Sequence, residues 1–226
     1  MSRIYVANHI TLDGVIQGLG RPDEDVRDCF TAGGWATPRV DAALSAALGQ
    51  RVQQAGGMRL LLGRRSYEGM LGYWNTQDSP FKDGLNNAEK FVASRSARSV
   101  PWPNTTLLSG EVGAAVADLK RRPGPDLCVM GSADLLQTLL DEQLVDELLL
   151  FVHPLVLGSG RRMYAKSPTP HPAEQHVDAD GRHDRALSGD RGSMRRGAPA
   201  AAPMARLPSC RGPEPASPQV GGTLAG

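Results

Sequence analysis

Two glycine-headed turns carry the residues best suited to hold an anion. In the first, Leu60-Leu61-Leu62-Gly63-Arg64-Arg65-Ser66-Tyr67-Glu68, a short apolar run passes through a glycine into a helical pattern. Triple leucine bounded by glycine suits a central strand covered on both faces. Gly63 allows a sharp turn, and Ser66 is a candidate cap for the helix that follows. Arg64 and Arg65 then stand at the positive end of a helix dipole, an unfavourable place unless an anion joins them. A solvated basic turn is the alternative, and spacing alone leaves both readings open. The second turn repeats the form. Asp126 to Met130 reads as an apolar strand and Gly131-Ser132-Ala133 opens a helix, so the N–H groups of these three residues could face a phosphate. The candidate carboxylate is Asp13, in Thr11-Leu12-Asp13-Gly14 after the first strand, with simple turn chemistry as its competing account.

The elements that must position these groups alternate along the chain. Strands are expected at Arg3–Ile10, Arg59–Leu62, Lys90–Arg95, Thr105–Ser109, Asp126–Met130 and Leu144–His153. Helical spacing runs from Pro38 through Val52, from Ser66 to Trp74, from Val112 to Arg121 and from Leu135 to Gln143. That alternation predicts an α/β fold with a largely parallel sheet, its ligand lying across the carboxyl ends of the strands. The long glycine-bearing loop Gly18–Gly34 ends at Trp35, which either closes over a planar ligand or plugs the loop to the core. His9 and His153 read as structural strand residues, and Leu157-Gly158-Ser159-Gly160 as a glycine turn at the rim.

The Leu62-Gly63-Arg64-Arg65-Ser66-Tyr67-Glu68 turn resembles that of the dihydrofolate reductase superfamily. The nearest branch contains small bacterial proteins similar to the C-terminal reductase domain of the bifunctional riboflavin-biosynthesis deaminase/reductase. The resemblance spans Met1 to about Lys166. It implies that Gly63, Arg64, Arg65 and Ser66 hold the 2′-phosphate side of NADPH and that Ser94-Arg95 lies beside the adenosine ribose. It also implies that Gly131, Ser132 and Ala133 take the pyrophosphate, and that Asp13 sits at the mouth of the substrate pocket. Dihydrofolate reductases proper carry Gly-Gly where this chain has Gly131-Ser132, so their peptide geometry there is not carried over.

Composition bounds the rest. The 226 residues carry a net charge of +1, which gives no global field for nucleic acid or an anionic membrane. No signal peptide or spanning apolar run stands in the sequence, and Cys29, Cys128 and Cys210 are odd in number and far apart. A cytoplasmic protein in a reducing compartment is the expectation, with a small-molecule substrate and with homodimerisation left open. From Ser167 the chain lacks Phe, Trp, Tyr and Ile and is rich in Pro, Gly, Ala and Arg. Residues 167–226 therefore read as a disordered tail after a domain spanning 1–166. His171, His176 and His183 sit in that tail without the cysteines or rigid element of a metal site. The resemblance places an antiparallel edge hairpin there, and a shifted reading frame would account for its absence.

The functional expectation is an NADPH-dependent reductase of a small planar heterocycle, a pterin or a riboflavin-precursor pyrimidine. Asp13 would be its catalytic carboxylate, and Asp13 and Trp35 would face the substrate. A nucleotide-binding module without turnover and an unstable truncated homologue are the alternatives.

Overall fold

A computed structural model describes residues 1–96, 99–108 and 110–164. The expected domain boundary at 166, the tail with its histidines and the missing hairpin fall outside those residues. Cys128 is a free thiol buried in the core.

Among the described residues six strands form one sheet: β1 (Ile4–Thr11), β2 (Arg59–Gly63), β3 (Glu89–Ala93), β4 (Thr105–Leu108), β5 (Leu127–Val129) and β6 (Glu147–His153). Their order is β4-β3-β2-β5-β1-β6, and every pairing is parallel. A parallel sheet is covered on both faces, so its strands read as continuous apolar runs rather than alternating ones. Leu60, Leu61 and Leu62 accordingly have no exposed surface.

Five helices supply the cover: α1 (Ala42–Gln54), α2 (Arg64–Trp74), α3 (Pro80–Asn87), α4 (Val112–Arg121) and α5 (Ala133–Asp141). Residues of α1, α2 and α3 pack with Tyr5, Ala7, Leu60, Leu62 and Phe151 on one face. Those of α4 and α5 pack with Ile4, Val6, Leu61 and Val129 on the other. The two faces alternate along β1 and β2 as the period of 2 requires.

Two local expectations change. Pro38 lies in a one-turn 3-10 helix, Thr37–Arg39, rather than opening a long helix. The chain is extended at Val40, and α1 begins after Asp41, whose carboxylate accepts the Leu44 N–H at 2.9 Å. Asp41 is thus an N-cap. Likewise α2 starts at Arg64, directly after Gly63, so Ser66 lies within its first turn and caps nothing.

The amino ends of the strands are fastened by charge. Arg51 of α1 binds Glu147 through Nε at 2.8 Å and Nη2 at 3.1 Å, reaches Asp126 at 3.1 Å, and lies 3.9 Å over the Tyr5 ring. Asp146 accepts the Ile4 N–H at 2.7 Å and pairs with Lys120. Lys90, fully buried in β3, donates to the carbonyls of Leu85, Asn86 and Ala88 and so serves the orphan end of α3. Among the described residues no group of three or more His, Cys, Asp or Glu side chains could hold a metal, and no helix is long and apolar enough to cross a membrane.

Candidate functional site

Strands β2 and β5 are neighbours, but the chain leaves them in opposite directions: α2 goes to β3 on one side, α5 to β6 on the other. That divergence is a topological switch point, where the connections open a crevice at the carboxyl ends. Both predicted glycine turns lie there. The Gly63 N–H donates to Ser132 Oγ at 2.7 Å, and Ser132 Oγ–H donates to Ser66 Oγ at 2.7 Å. One hydroxyl therefore ties the two turns together.

The glycines are required by that closeness. A Cβ on Gly63 would stand 2.8 Å from Ser132 Oγ, and one on Gly131 would stand 2.9 Å from Ser66 Oγ, at a φ of +65°. Ser132 itself has φ 61° and ψ 63°, left-handed for a residue with a side chain, at roughly 1–2 kcal/mol of strain. Neither α2 nor α5 has a side-chain cap, so among the described residues the first N–H groups of both helices meet the crevice without a side-chain partner. The arrangement suits an anion shared between two helix ends.

One of the expected cradle donors is engaged elsewhere. The Gly131 N–H donates to Asn8 Oδ1 at 2.6 Å, which leaves Ser132 and Ala133 to offer theirs. Asn8 is 3% exposed, and its Nδ2 is a buried donor without a partner among the described residues. Sequence reasoning missed it because a lone polar residue in a strand carries no motif.

Beside the crevice a cavity of about 450 Å³ is walled by Tyr67, Val92, Val100 and Trp102, with Arg64, Glu68 and Ser96 among its polar groups. Arg64 binds Glu68 at 2.6 Å and Ser96 Oγ at 3.0 Å, and the Trp102 N–H donates to the Tyr67 hydroxyl at 2.9 Å. Of the two expected arginines, Arg64 therefore faces this cavity, and Arg65 is exposed on the helix start. Ser94 and Arg95 are not among its walls. Ser94 Oγ accepts the Ser96 N–H at 3.2 Å, Arg95 is exposed, and Ser96 is the residue of this segment that lines the cavity.

At the other end of the crevice, Asp13 is already occupied. Its Oδ1 accepts Thr11 Oγ1 at 2.7 Å and the Leu157 N–H at 3.2 Å; its Oδ2 accepts the Gly158 N–H at 2.9 Å and lies 3.7 Å from Arg162. The Thr11 hydroxyl, then the two backbone donors, pull its pKa down to about 2. Asp13 is a pinned carboxylate that joins the exits of β1 and β6. The expected proton-handling role does not suit a group held ionised in this way.

Trp35 plugs the loop to the core, the second of its two readings. It is 6% exposed, and its Nε1–H donates to Gln17 O at 2.7 Å. Its ring stands T-shaped to that of His153, whose Nε2 lies 2.8 Å from His9 Nδ1. Burial, and then the neighbouring His153, lower the pKa of His9 to about 4. Burial and then the Arg39 charge lower that of His153.

Comparison with known proteins agrees with this architecture. A protein of Shewanella sp. PV-4, described as a candidate riboflavin biosynthesis protein, has a crystal structure that superposes with a TM-score of 0.51 at 23% identity, over 75% of this chain and 86% of that one. Uncharacterized protein YyaP of Bacillus subtilis (strain 168) is 27% identical over 168 residues, covering 72% of this chain and 80% of the relative. The profile of the RibD C-terminal domain matches residues 3–181, fifteen residues beyond the boundary that composition suggests. The chain belongs to the RibD C-terminal domain family, with its dihydrofolate reductase-like fold.

Proposed function

We propose that this chain is an NADPH-dependent reductase of a small planar heterocycle, of the riboflavin-precursor pyrimidine or pterin kind. Membership of the RibD C-terminal domain family supports a reductase-type role in riboflavin biosynthesis. The observation that carries the reading is the pair of uncapped helix ends, joined by Ser132 Oγ at the switch point and flanked by the Arg64 cavity.

The residues fit a dinucleotide. The free N–H groups of Ser132, Ala133 and the first turn of α2 would take the pyrophosphate. Arg64 and Ser96 would take a 2′-phosphate, with a planar guanidinium matched to that group, and Tyr67 and Trp102 would wall the adenine. Arg65 would add charge from the rim. When bound, the nicotinamide supplies the hydride. The chain's own work is to hold the phosphates, aim the reacting end toward β1 and keep the rim closed through Asp13.

A binding module without turnover is the second reading, favoured by the occupied lone pairs of Asp13. Steady-state NADPH oxidation with a panel of dihydropterins and ribosylamino-pyrimidines separates the two. The reductase reading requires turnover with at least one of them. NADPH fluorescence enhancement without oxidation would leave the binding module, and absence of both would remove the nucleotide altogether.

A further inference from the structure

We propose that His9 and His153 form a two-imidazole relay that delivers the proton the reduction consumes, with His9 facing the substrate and His153 recharging it from solvent. The inference rests on the reductase reading above and assigns the acid–base partner that Asp13 does not supply.

The placement carries it. In β1 the alternation puts Tyr5, Ala7, His9 and Thr11 on the face shared with α1 and α2, the face that also carries Tyr67 and the Arg64 cavity. Val6 pairs with Val129 and Leu61 pairs with Val129, so Asn8 stands level with Gly131 and Gly63. His9 is one residue further toward the carboxyl end. With the phosphates at β2 and β5 and the adenosine toward β3, the reacting end of an extended dinucleotide reaches β1.

The two rings are built as a wire. Their inner nitrogens, His9 Nδ1 and His153 Nε2, are 2.8 Å apart. Phe151 lies against His9 with centroids 5.0 Å apart, and Trp35 stands T-shaped to His153 at 5.2 Å, so both rings are packed in place. The outer nitrogens, His9 Nε2 and His153 Nδ1, have no hydrogen-bond partner among the described residues. His9 is half-buried and His153 is 3% exposed, so the one proton that His153 takes up must reach it through a narrow opening. Two imidazolium ions could not share this bond, because both nitrogens would be donors. Burial lowers the pKa of both rings, joined at His9 by the neighbouring His153 and at His153 by the Arg39 charge, which favours the neutral pair that a relay through tautomers needs.

The step balances. A hydride from the dihydronicotinamide adds to the carbon of a C=N or C=O bond, and the heteroatom takes the proton from His9 Nε2. His9 Nδ1 takes the proton of His153 Nε2, and His153 Nδ1 takes one from water. Two electrons and one proton leave the nucleotide as hydride, and one further proton comes from solvent.

That direction fixes the resting tautomers: His9 and His153 must both carry hydrogen on Nε2. Long-range ¹H–¹⁵N spectra of the wild-type full chain test this without turnover. Hydrogen on Nδ1 of His9, donated to His153 Nε2, overturns the relay. With NADPH and a dihydropterin or ribosylamino-pyrimidine that is turned over, His9→Gln should lower kcat about a hundredfold or more and leave NADPH affinity within about twofold. His153→Gln should lower kcat by roughly tenfold, since its amide still donates but cannot relay. An undiminished kcat in His9→Gln also overturns the relay. A wild-type chain that turns over no probe counts against the reductase reading, and the tautomer pattern still decides whether the pair is set to donate.

Discussion

The two ends of the sheet treat their polar groups in opposite ways. At the amino ends charge meets charge: Arg51 with Glu147 and Asp126, Arg59 with Glu89, Lys120 with Asp146. At the carboxyl ends of β2 and β5, two helix N-termini stand uncapped, and a serine is held left-handed between them. Burying an ion or an amide without a partner costs free energy, so groups that serve the fold find partners inside it. Groups kept open at a switch point have theirs elsewhere. The contrast separates structural polarity from binding polarity more sharply than residue type does, since arginine occurs at both ends.

The largest effect should come from breaking the amino end. Arg51 is nearly buried, and Arg51→Ala would leave Glu147 and Asp126 without their main cation. Removing one partner of a buried ion pair typically destabilises by about 3–5 kcal/mol. Chemical denaturation should show that loss, and nucleotide affinity of the variant still folded should match wild type. Equal loss of affinity would mean that the two ends are not separable.

The matching break at the carboxyl end is Arg64→Ala. A charge-assisted contact with a 2′-phosphate contributes roughly 1.5–3 kcal/mol, so NADPH should weaken about tenfold or more while NADH is spared. Stability should scarcely move, because the ion pair lost among the described residues is the exposed one with Glu68. The neighbouring carboxylate sharpens the test: Glu68→Gln frees Arg64 and removes a like charge from the phosphate, so NADPH should bind a few-fold better. Parallel titrations of both nucleotides against both variants measure this. NADPH losses equal to NADH losses in Arg64→Ala would remove the arginine from the phosphate site.

Much of this architecture was legible because the chain keeps local and global signals consistent. Leu60-Leu61-Leu62 ahead of Gly63 could hardly be anything but a covered strand entering a helix, and α4 falls at Val112–Arg121 as its apolar stripe indicates. Both glycine turns arrive at one crevice because parallel strands with alternating helices place every such turn at the same edge. Contacts across the sequence were not legible. Nothing near Gly131 announces that Asn8, 123 residues away, takes its N–H. Nothing near His9 announces His153, and each alone reads as a strand histidine. Ser66 was misplaced for a local reason: the helix begins at Arg64 with Gly63 as its N-cap, so the serine hydroxyl is left to meet Ser132.

Asp13 is the case where the contrast between the two ends fails at a single residue, and it carries the smallest predicted effect. It lies at the carboxyl end, yet its carboxylate is satisfied like a structural group by Thr11, Leu157, Gly158 and Arg162. Asparagine keeps the turn chemistry with Gly14 but turns one acceptor into a donor, facing either the Gly158 or the Leu157 N–H. At this half-open rim water can take up part of the loss, so Asp13→Asn should destabilise by about 1 kcal/mol. The pH dependence identifies the cause. The folded pKa of about 2 lies below the ordinary 3.8, so the ionised carboxylate stabilises the fold above about pH 4, and that contribution disappears as pH falls from 3.8 toward 2. His9 acts earlier. Its folded pKa of about 4 lies below 6.5, so the unfolded chain binds the extra proton and stability declines as pH falls from 6.5 toward 4. Denaturation followed across both windows should show Asp13→Asn losing part of the lower component, which Asp25 shares, and His9→Gln losing part of the upper one, which His153 shares. An Asp13→Asn chain that keeps the wild-type decline between pH 3.8 and 2 would show that the carboxylate is not what pins the rim.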